Sequence, residues 1–206
     1  MSFLAPDFEP FLDPAQRAEL DANPHTVVGL RPDNTIGYRN AAWDRFASDN
    51  GAPALVSWNG TPIVEIFHPE IRDWYVSLFD RVRDSREPAD HTYQCSSPAE
   101  YREFALRVLP LPARHLLLIH HLSVERSHHW QVHEPGGPYV DEHGIVTQCC
   151  HCRRTRRADR RTTWDWVPAY LEPGHSELSH GLCPPCFRHY HPRAAKSRDA
   201  ELAGRQ

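Results

Sequence analysis

Two cysteine pairs, Cys149-x-x-Cys152 and Cys183-Pro-Pro-Cys186, constrain this 206-residue chain more than any other feature. A gap of 30 residues separates them. Each C-x-x-C turn folds two thiolates toward one point, and the loop brings the two pairs together. That is the donor arrangement a tetrahedral Zn²⁺ takes. The spacing predicts one structural zinc held by Cys149, Cys152, Cys183 and Cys186. The competing reading is a redox dithiol. Cys150, inside the first pair, is expected to be a bystander. Cys95 falls in a predicted strand away from the others and reads as a small buried hydrophobe. His151 is a further candidate ligand, but four thiolates already fill the positions. His180 is expected beside the metal site, donating its ring N–H to a backbone carbonyl or a cluster sulfur. Its plainer reading is a turn histidine.

No apolar run approaches the roughly 20 residues of a membrane span. Met1-Ser-Phe-Leu-Ala-Pro lacks the basic start and apolar core of a secretory signal. The expectation is a cytoplasmic protein with no membrane segment, where thiols stay reduced and paired C-x-x-C motifs bind metal. Charge is divided unevenly. Residues 1–148 carry 12 of the 23 basic and 21 of the 27 acidic side chains, a net −9. Residues 149–206 carry the remaining 11 and 6, a net +5. Two modules are implied.

Asp13-Pro14-Ala15-Gln16 is a helix start, with Asp13 as cap and Gln16 as its capping-box partner. The helix runs to about Asp21. Thr26–Leu30 and Thr35–Tyr38 read as a hairpin around the turn Arg31–Asn34. A helix over Asn40–Ala47 follows, with Trp43, Phe46 and Ala47 on one face. The clearest helix starts at His68-Pro69-Glu70, where Ile71, Trp74, Tyr75, Leu78, Phe79 and Val82 form one apolar stripe. Strands are predicted over His91–Cys95, Glu103–Leu109 and His115–Leu122. A short polar helix is predicted over Glu125–Val132, then a hinge at Glu134–Pro138.

Two strands, a helical crossover and a three-stranded meander form one five-stranded antiparallel sheet with helices on one face. That order, with Val28-Gly29-Leu30, Asp33, Ile36, Tyr38, Asn40, Trp43, Phe46-Ala47 and Asn50-Gly51, resembles the opening of a bacterial PAS domain. Tyr93-Gln94-Cys95-Ser96-Ser97-Pro98, leading to Arg102, resembles its later part. The tail resembles a cysteine module found at the ends of bacterial PAS and two-component sensory proteins. Cys149-x-x-Cys152-Arg-Arg-x-Arg, Trp164, Tyr170-Leu171 and Ser179-His180-Gly181-Leu182-Cys183-Pro184-x-Cys186 carry that likeness. Pro168 breaks any single helix across Trp164–Leu171. The expected fold is α+β: a PAS-like sheet with helices plus a small zinc-bound module. The expected boundaries are an N-terminal helical extension over 1–22, a PAS domain over 23–124, a linker over 125–140, a four-cysteine module over 141–192 and a polar tail over 193–206.

The resemblance implies a core that takes a small-molecule ligand, with Tyr38, Trp43, Trp74, Tyr93 and Arg107 as its candidate lining. The alternative is an ordinary aromatic core. Haem is disfavoured, because the stripe from Ile71 to Val82 contains no histidine and no Cys-x-x-Cys-His occurs. Cys95 lacks the helical Asn-Cys-Arg context of photoactive flavin domains. Arg153, Arg154, Arg156 and Arg157, with Arg160 and Arg161, form a basic run that could contact phosphates. Its alternative role is to offset nearby negative charge. No P-loop, G-x-S-x-G or paired-carboxylate motif is found. The sequence reads as a non-enzymatic PAS-type regulator in bacterial signal transduction, working with a protein partner or as a homodimer, with the zinc module as a docking element. The two alternatives are a zinc-dependent nucleic-acid-binding regulator and a thiol redox switch.

Overall fold

The computed structural model describes residues 2–172 and 178–203. Residues 173–177 of the expected cysteine module and 204–206 of the expected tail lie outside the described residues. The chain divides into two compact units. One holds the chain up to Tyr93 with Phe104–Ser123. The other holds Gln94–Glu103 with the chain from Val124 onward.

The first unit begins with β1 (Phe3–Leu4), followed by α1 (Pro14–Ala22). Asp13 caps α1 by accepting from the Ala15 and Gln16 amides, and Gln16 returns a bond to the Asp13 amide. β2 (Thr26–Leu30) and β3 (Ile36–Arg39) form the predicted hairpin, with Asn34 in the left-handed region at its turn. α2 (Ala41–Asp49) starts at Asn40, whose side chain accepts from the Trp43 amide. α3 (Pro69–Ser85) buries Ile71, Tyr75, Leu78, Phe79 and Val82, as the apolar stripe requires. It stops where Arg86 turns left-handed. Then come β4 (Ala89–Gln94), β5 (Glu100–Pro110) and β6 (Leu116–Ser127).

The antiparallel sheet has the order β1-β3-β2-β6-β5-β4. Its central five strands are the expected PAS-like arrangement, a hairpin joined through helices to a meander. The sheet has six strands because β1 adds to β3 at Phe3↔Arg39 and Leu4↔Tyr38. Helices do not keep to one face. Val27, Tyr38 and Leu117 face one side and pack with Ala5, Phe8 and Leu12 of the N-terminal segment. On the other side, Phe46 of α2 meets Phe104, and Trp74 and Tyr75 of α3 meet His91. Buried Asn40 locks this corner together. Its amide donates to the carbonyls of Leu20, Asn23 and His25, and its oxygen accepts from Val27.

β6 also departs from expectation. It continues as strand to Ser127, and no helix forms over Glu125–Val132. The residues past His120 are largely exposed, so no apolar alternation marks the extension. In the second unit, β7 (Val146–Cys149), β8 (Thr155–Arg156), β9 (Trp164–Asp165) and β10 (Leu178–Gly181) make a small sheet ordered β10-β7-β8-β9. Pro168 opens a single 3₁₀ turn to Leu171 rather than a long helix. Tyr139, Val146, Val167 and Tyr170 form its core. α4 (Pro184–Tyr190) and α5 (Pro192–Ala203) follow.

Candidate metal centre

The register of the small sheet assembles the cysteines. β10 runs parallel to β7 and places Gly181 opposite Cys149. The Cys150 amide donates to the Gly181 carbonyl at 2.9 Å, pinning one knuckle to the approach of the other. The first knuckle is a tight return: the Arg153 amide reaches the Cys149 carbonyl, and the Cys149 amide reaches the Arg154 carbonyl. Arg153 takes a left-handed φ of 63° to make it. The second knuckle opens α4. Cys183 is its cap residue, and Pro184 and Pro185 occupy first-turn positions where no amide is needed. Cys186 sits in that first turn.

The four sulfurs of Cys149, Cys152, Cys183 and Cys186 all lie within 4.8 Å of one another, and all four residues are buried. Cys152 Sγ and Cys183 Sγ are 3.6 Å apart. A disulfide needs about 2.05 Å. A tetrahedron of thiolates with metal–sulfur bonds of about 2.3 Å has edges near 3.8 Å. None of the six cysteines is in a disulfide. The donor set thus fits a tetrahedral metal ion. The Cys183 amide donates to Cys149 Sγ at 3.4 Å, a backbone bond that orients one donor.

The thiols are electrostatically interdependent. Hydrogen bonds from Cys149, Cys183 and Cys186 hold Cys152 far below the usual thiol range. Hydrogen bonds to Cys149 and Cys152 push Cys183 and Cys186 up. Four sulfurs this close cannot all ionise unless a cation sits among them.

Three arginines of the basic run turn to partners inside the module. Arg154 donates to Cys152 Sγ at 3.4 Å and Cys183 Sγ at 3.6 Å. Burial disfavours its charge, but the Cys152 and Cys183 sulfurs outweigh that and raise its pKa. Arg156 donates to Thr147 Oγ1 at 3.0 Å. Arg157 grips Asp159 through two bonds and approaches Asp165. Arg153 forms the knuckle turn. The side chains of Arg154, Arg156 and Arg157 are thus engaged within the module, by sulfur, hydroxyl and carboxylate partners respectively. Arg160 and Arg161 remain exposed.

His180 stands on β10, paired with Gln148 across the sheet. His151 Nδ1 lies 2.7 Å from Tyr190 Oη, and burial holds its pKa down at about 4. Cys150 is buried outside the four-sulfur group. Cys95 lies just past β4, in the same unit as the module. Burial pushes its thiol pKa up, and the charges of Arg153 and Arg102 pull the other way.

The candidate ligand lining divides. Trp74 and Tyr93 come together around His91, Tyr93 stacked on its ring and Trp74 tilted against it. Tyr93 Oη lies 2.8 Å from His120 Nδ1. Trp43 is buried on α2 and donates to the Leu55 carbonyl. Tyr38 faces the other side of the sheet, where its hydroxyl donates to Asp21 and burial is the main cause raising its pKa. Arg107 is exposed beside Asp90. Tyr38 and Arg107 therefore do not share an interior with Trp74 and Tyr93. Two open grooves, about 540 and 420 Å³, lie instead along α1.

Sequence reasoning passed over Trp130, which lies under Arg154, and Tyr190, which holds His151. No local sequence pattern ties either residue to the cysteines, because both contacts are made by the fold of the module.

No helix among the described residues is long and apolar enough to cross a membrane. No protein-family model matches the chain, and no curated protein does. Solved structures similar to it include a domain of an HTR-like protein from Haloarcula marismortui, 14% identical with a TM-score of 0.38, over 50% of this chain and 100% of that one. A domain of the sensory box sensor histidine kinase/response regulator from Geobacter sulfurreducens is 13% identical with a TM-score of 0.38, over 52% and 90%. The PAS domain of an HTR-like protein from Haloarcula marismortui is 17% identical with a TM-score of 0.34, over 52% and 94%. The PAS-like assignment rests on this chain's own strand order and helical crossover, and the second unit adds a buried four-cysteine cluster.

Proposed function

We propose that this chain is a non-enzymatic, PAS-type sensory or regulatory protein whose second unit is a zinc-structured docking element. The buried four-sulfur group, in one chain with a PAS-like sheet, carries this reading. Zn²⁺ supplies a redox-silent crosslink for a small unit with a modest core of its own. Cys149, Cys152, Cys183 and Cys186 would hold it, and the Cys183 amide and Arg154 would orient their sulfurs. The first unit receives a signal, as a protein partner, a second copy or a small molecule near Trp74 and Tyr93. The stretch from Ser123 to Pro138 passes the state onward, since β6 runs unbroken through Ser123 into the second unit.

The internal commitments of Arg154, Arg156 and Arg157 disfavour a nucleic-acid contact. Burial of all four sulfurs disfavours a thiol redox switch. Elemental analysis and an absorption spectrum of the purified chain test the reading. One zinc per chain and no visible absorbance are expected. Chelation should raise hydrogen exchange from Tyr139 to Tyr190 and leave β2, β3 and α3 protected. Loss of protection in α3 on chelation, or a full complement of iron, overturns it.

A further inference from the structure

Arg154 turns its guanidinium toward sulfur rather than solvent. Nε donates to Cys152 Sγ at 3.4 Å and Nη2 to Cys183 Sγ at 3.6 Å, one sulfur from each knuckle. Its carbonyl accepts from the Cys149 amide at 2.8 Å, so the backbone fixes where the side chain starts. Its Cζ lies 5.4 Å from the Trp130 ring centroid, so an aromatic face backs the cation. Trp130 in turn packs on Tyr101 and Trp166, at 6.0 and 5.2 Å between centroids.

Four thiolates around a divalent cation leave two negative charges. Here they would sit at residues 0%, 2%, 0% and 8% exposed, in the order Cys149, Cys152, Cys183, Cys186. A buried net charge is costly unless paired and hydrogen-bonded. Hydrogen bonds on a metal-bound thiolate also draw density from the lone pairs that would attack an electrophile. A forked, permanently charged donor meets both needs, and a lysine ammonium meets only the first.

We propose that Arg154 is the built-in counter-charge of the metal centre. It quenches the nucleophilicity of Cys152 and Cys183, slows metal loss, and ties the centre to the aromatic group of Trp130, Tyr101 and Trp166. The inference rests on the metal-centre reading above. It makes the centre chemically inert.

Cobalt substitution of the full chain tests it, because sulfur-to-cobalt charge transfer reports hydrogen bonding at sulfur. Wild type, Arg154→Met and Arg154→Lys are each loaded with Co²⁺. Arg154→Met should bind one Co²⁺ with its charge-transfer band moved to lower energy. Iodoacetamide alkylation and metal transfer to a chelator should each be roughly tenfold faster. Arg154→Lys should fall between the two. If wild type takes up neither Co²⁺ nor Zn²⁺, the metal-centre reading fails and the role of Arg154 falls with it. If wild type binds metal and Arg154→Met matches it in band position and alkylation rate, the counter-charge role is overturned while the metal centre stands. Should Arg154→Met fail to fold, Arg154→Lys decides: an unshifted band and an unchanged rate overturn the proposal.

Discussion

Phe8 packs directly on the bare backbone of Gly29, where an added methyl group would stand 2.5 Å from Phe8 Cζ. The ring is fully buried with Ala5, Leu12, Val27, Tyr38 and Leu117. The N-terminal segment is thus core to the first unit, and glycine is required at position 29 for close approach rather than for its dihedrals. Phe8→Ala should cost about 3–5 kcal/mol, and Gly29→Ala about 1–3 kcal/mol through overpacking. The two should couple in part, because the methyl group's two shortest approaches are to the Phe8 ring, while a third, to Tyr38 Cβ at 2.9 Å, remains when the ring is removed. Urea unfolding of both single variants and the double variant checks this. Strict additivity would show that Gly29 is constrained by something other than Phe8.

Arg83 is buried at 2% exposure and spends its guanidinium on four acceptors. They are the Arg114 carbonyl at 3.0 Å, the Arg31 carbonyl at 3.0 Å, Asn34 Oδ1 at 2.8 Å and Asp80 Oδ1 at 3.1 Å. These bonds tie α3 to the β2–β3 turn and to the approach of β6. Arg83→Met would remove the shared donor of four part-buried acceptors, and with about 1–3 kcal/mol for each one left unsatisfied a loss of about 2 kcal/mol or more is expected. Arg83→Lys should recover less than half, since one ammonium cannot span the fork. Denaturant midpoints measure both. A lysine variant as stable as wild type would assign the site to charge alone.

The local elements of the first unit were readable because each carries its own signal. Asp13 and Gln16 state a capping box, and the stripe from Ile71 to Val82 states a buried helix face. Other features depend on register, which no local window contains. Tyr38 looks like an interior aromatic, but its pairing with Gly29 puts it on the Phe8 side of the sheet. The six-stranded edge rests on two residues, Phe3 and Leu4, too few to form a pattern. Past His120, exposed polar residues hid the rest of β6. The cysteine spacing announced the four-sulfur group, yet charge alone could not say which way Arg154 points. Sulfur and phosphate both attract a guanidinium, and only the knuckle geometry chooses between them.

His120 should make the first unit acid-sensitive. Its Nδ1 meets Tyr93 Oη at 2.8 Å, while its Nε2 is solvent-free and has no hydrogen-bond partner. The residue as a whole is only partly buried, but it is the atom's burial that governs protonation. Burial holds its pKa down at about 4, against an ordinary 6.5. Above pH 6.5 the native and unfolded chains both hold a neutral ring, so nothing is lost. Between 6.5 and 4 the unfolded chain takes up a proton that the native chain refuses. Stability therefore falls as pH drops through that window, by at most ~1.4 kcal/mol per pH unit from this group. His120→Gln should flatten the slope between pH 6.5 and 4, read from urea midpoints. Equal slopes for variant and wild type would place the acid sensitivity elsewhere.

The ligand assignment makes its own demand on the two adjacent cysteines. Cys149 and Cys150 are both buried, yet only Cys149 joins the four-sulfur group. Cys150 is tied to the sheet by its backbone, whose amide bonds Gly181 whatever its side chain. Cys150→Ser should thus keep one metal per chain. Cys149→Ser and Cys183→Ser should each lose it or bind it far more weakly, because each leaves three thiolates and an open position. Cys183→Ser should also loosen α4, whose cap residue it replaces, while the stripe helix α3 stays folded. Metal content by elemental analysis and α3 protection by hydrogen exchange read the two effects separately. A chain that loses its metal on Cys150→Ser but keeps it on Cys149→Ser would reverse the roles of the two residues and require the first knuckle to turn one residue later.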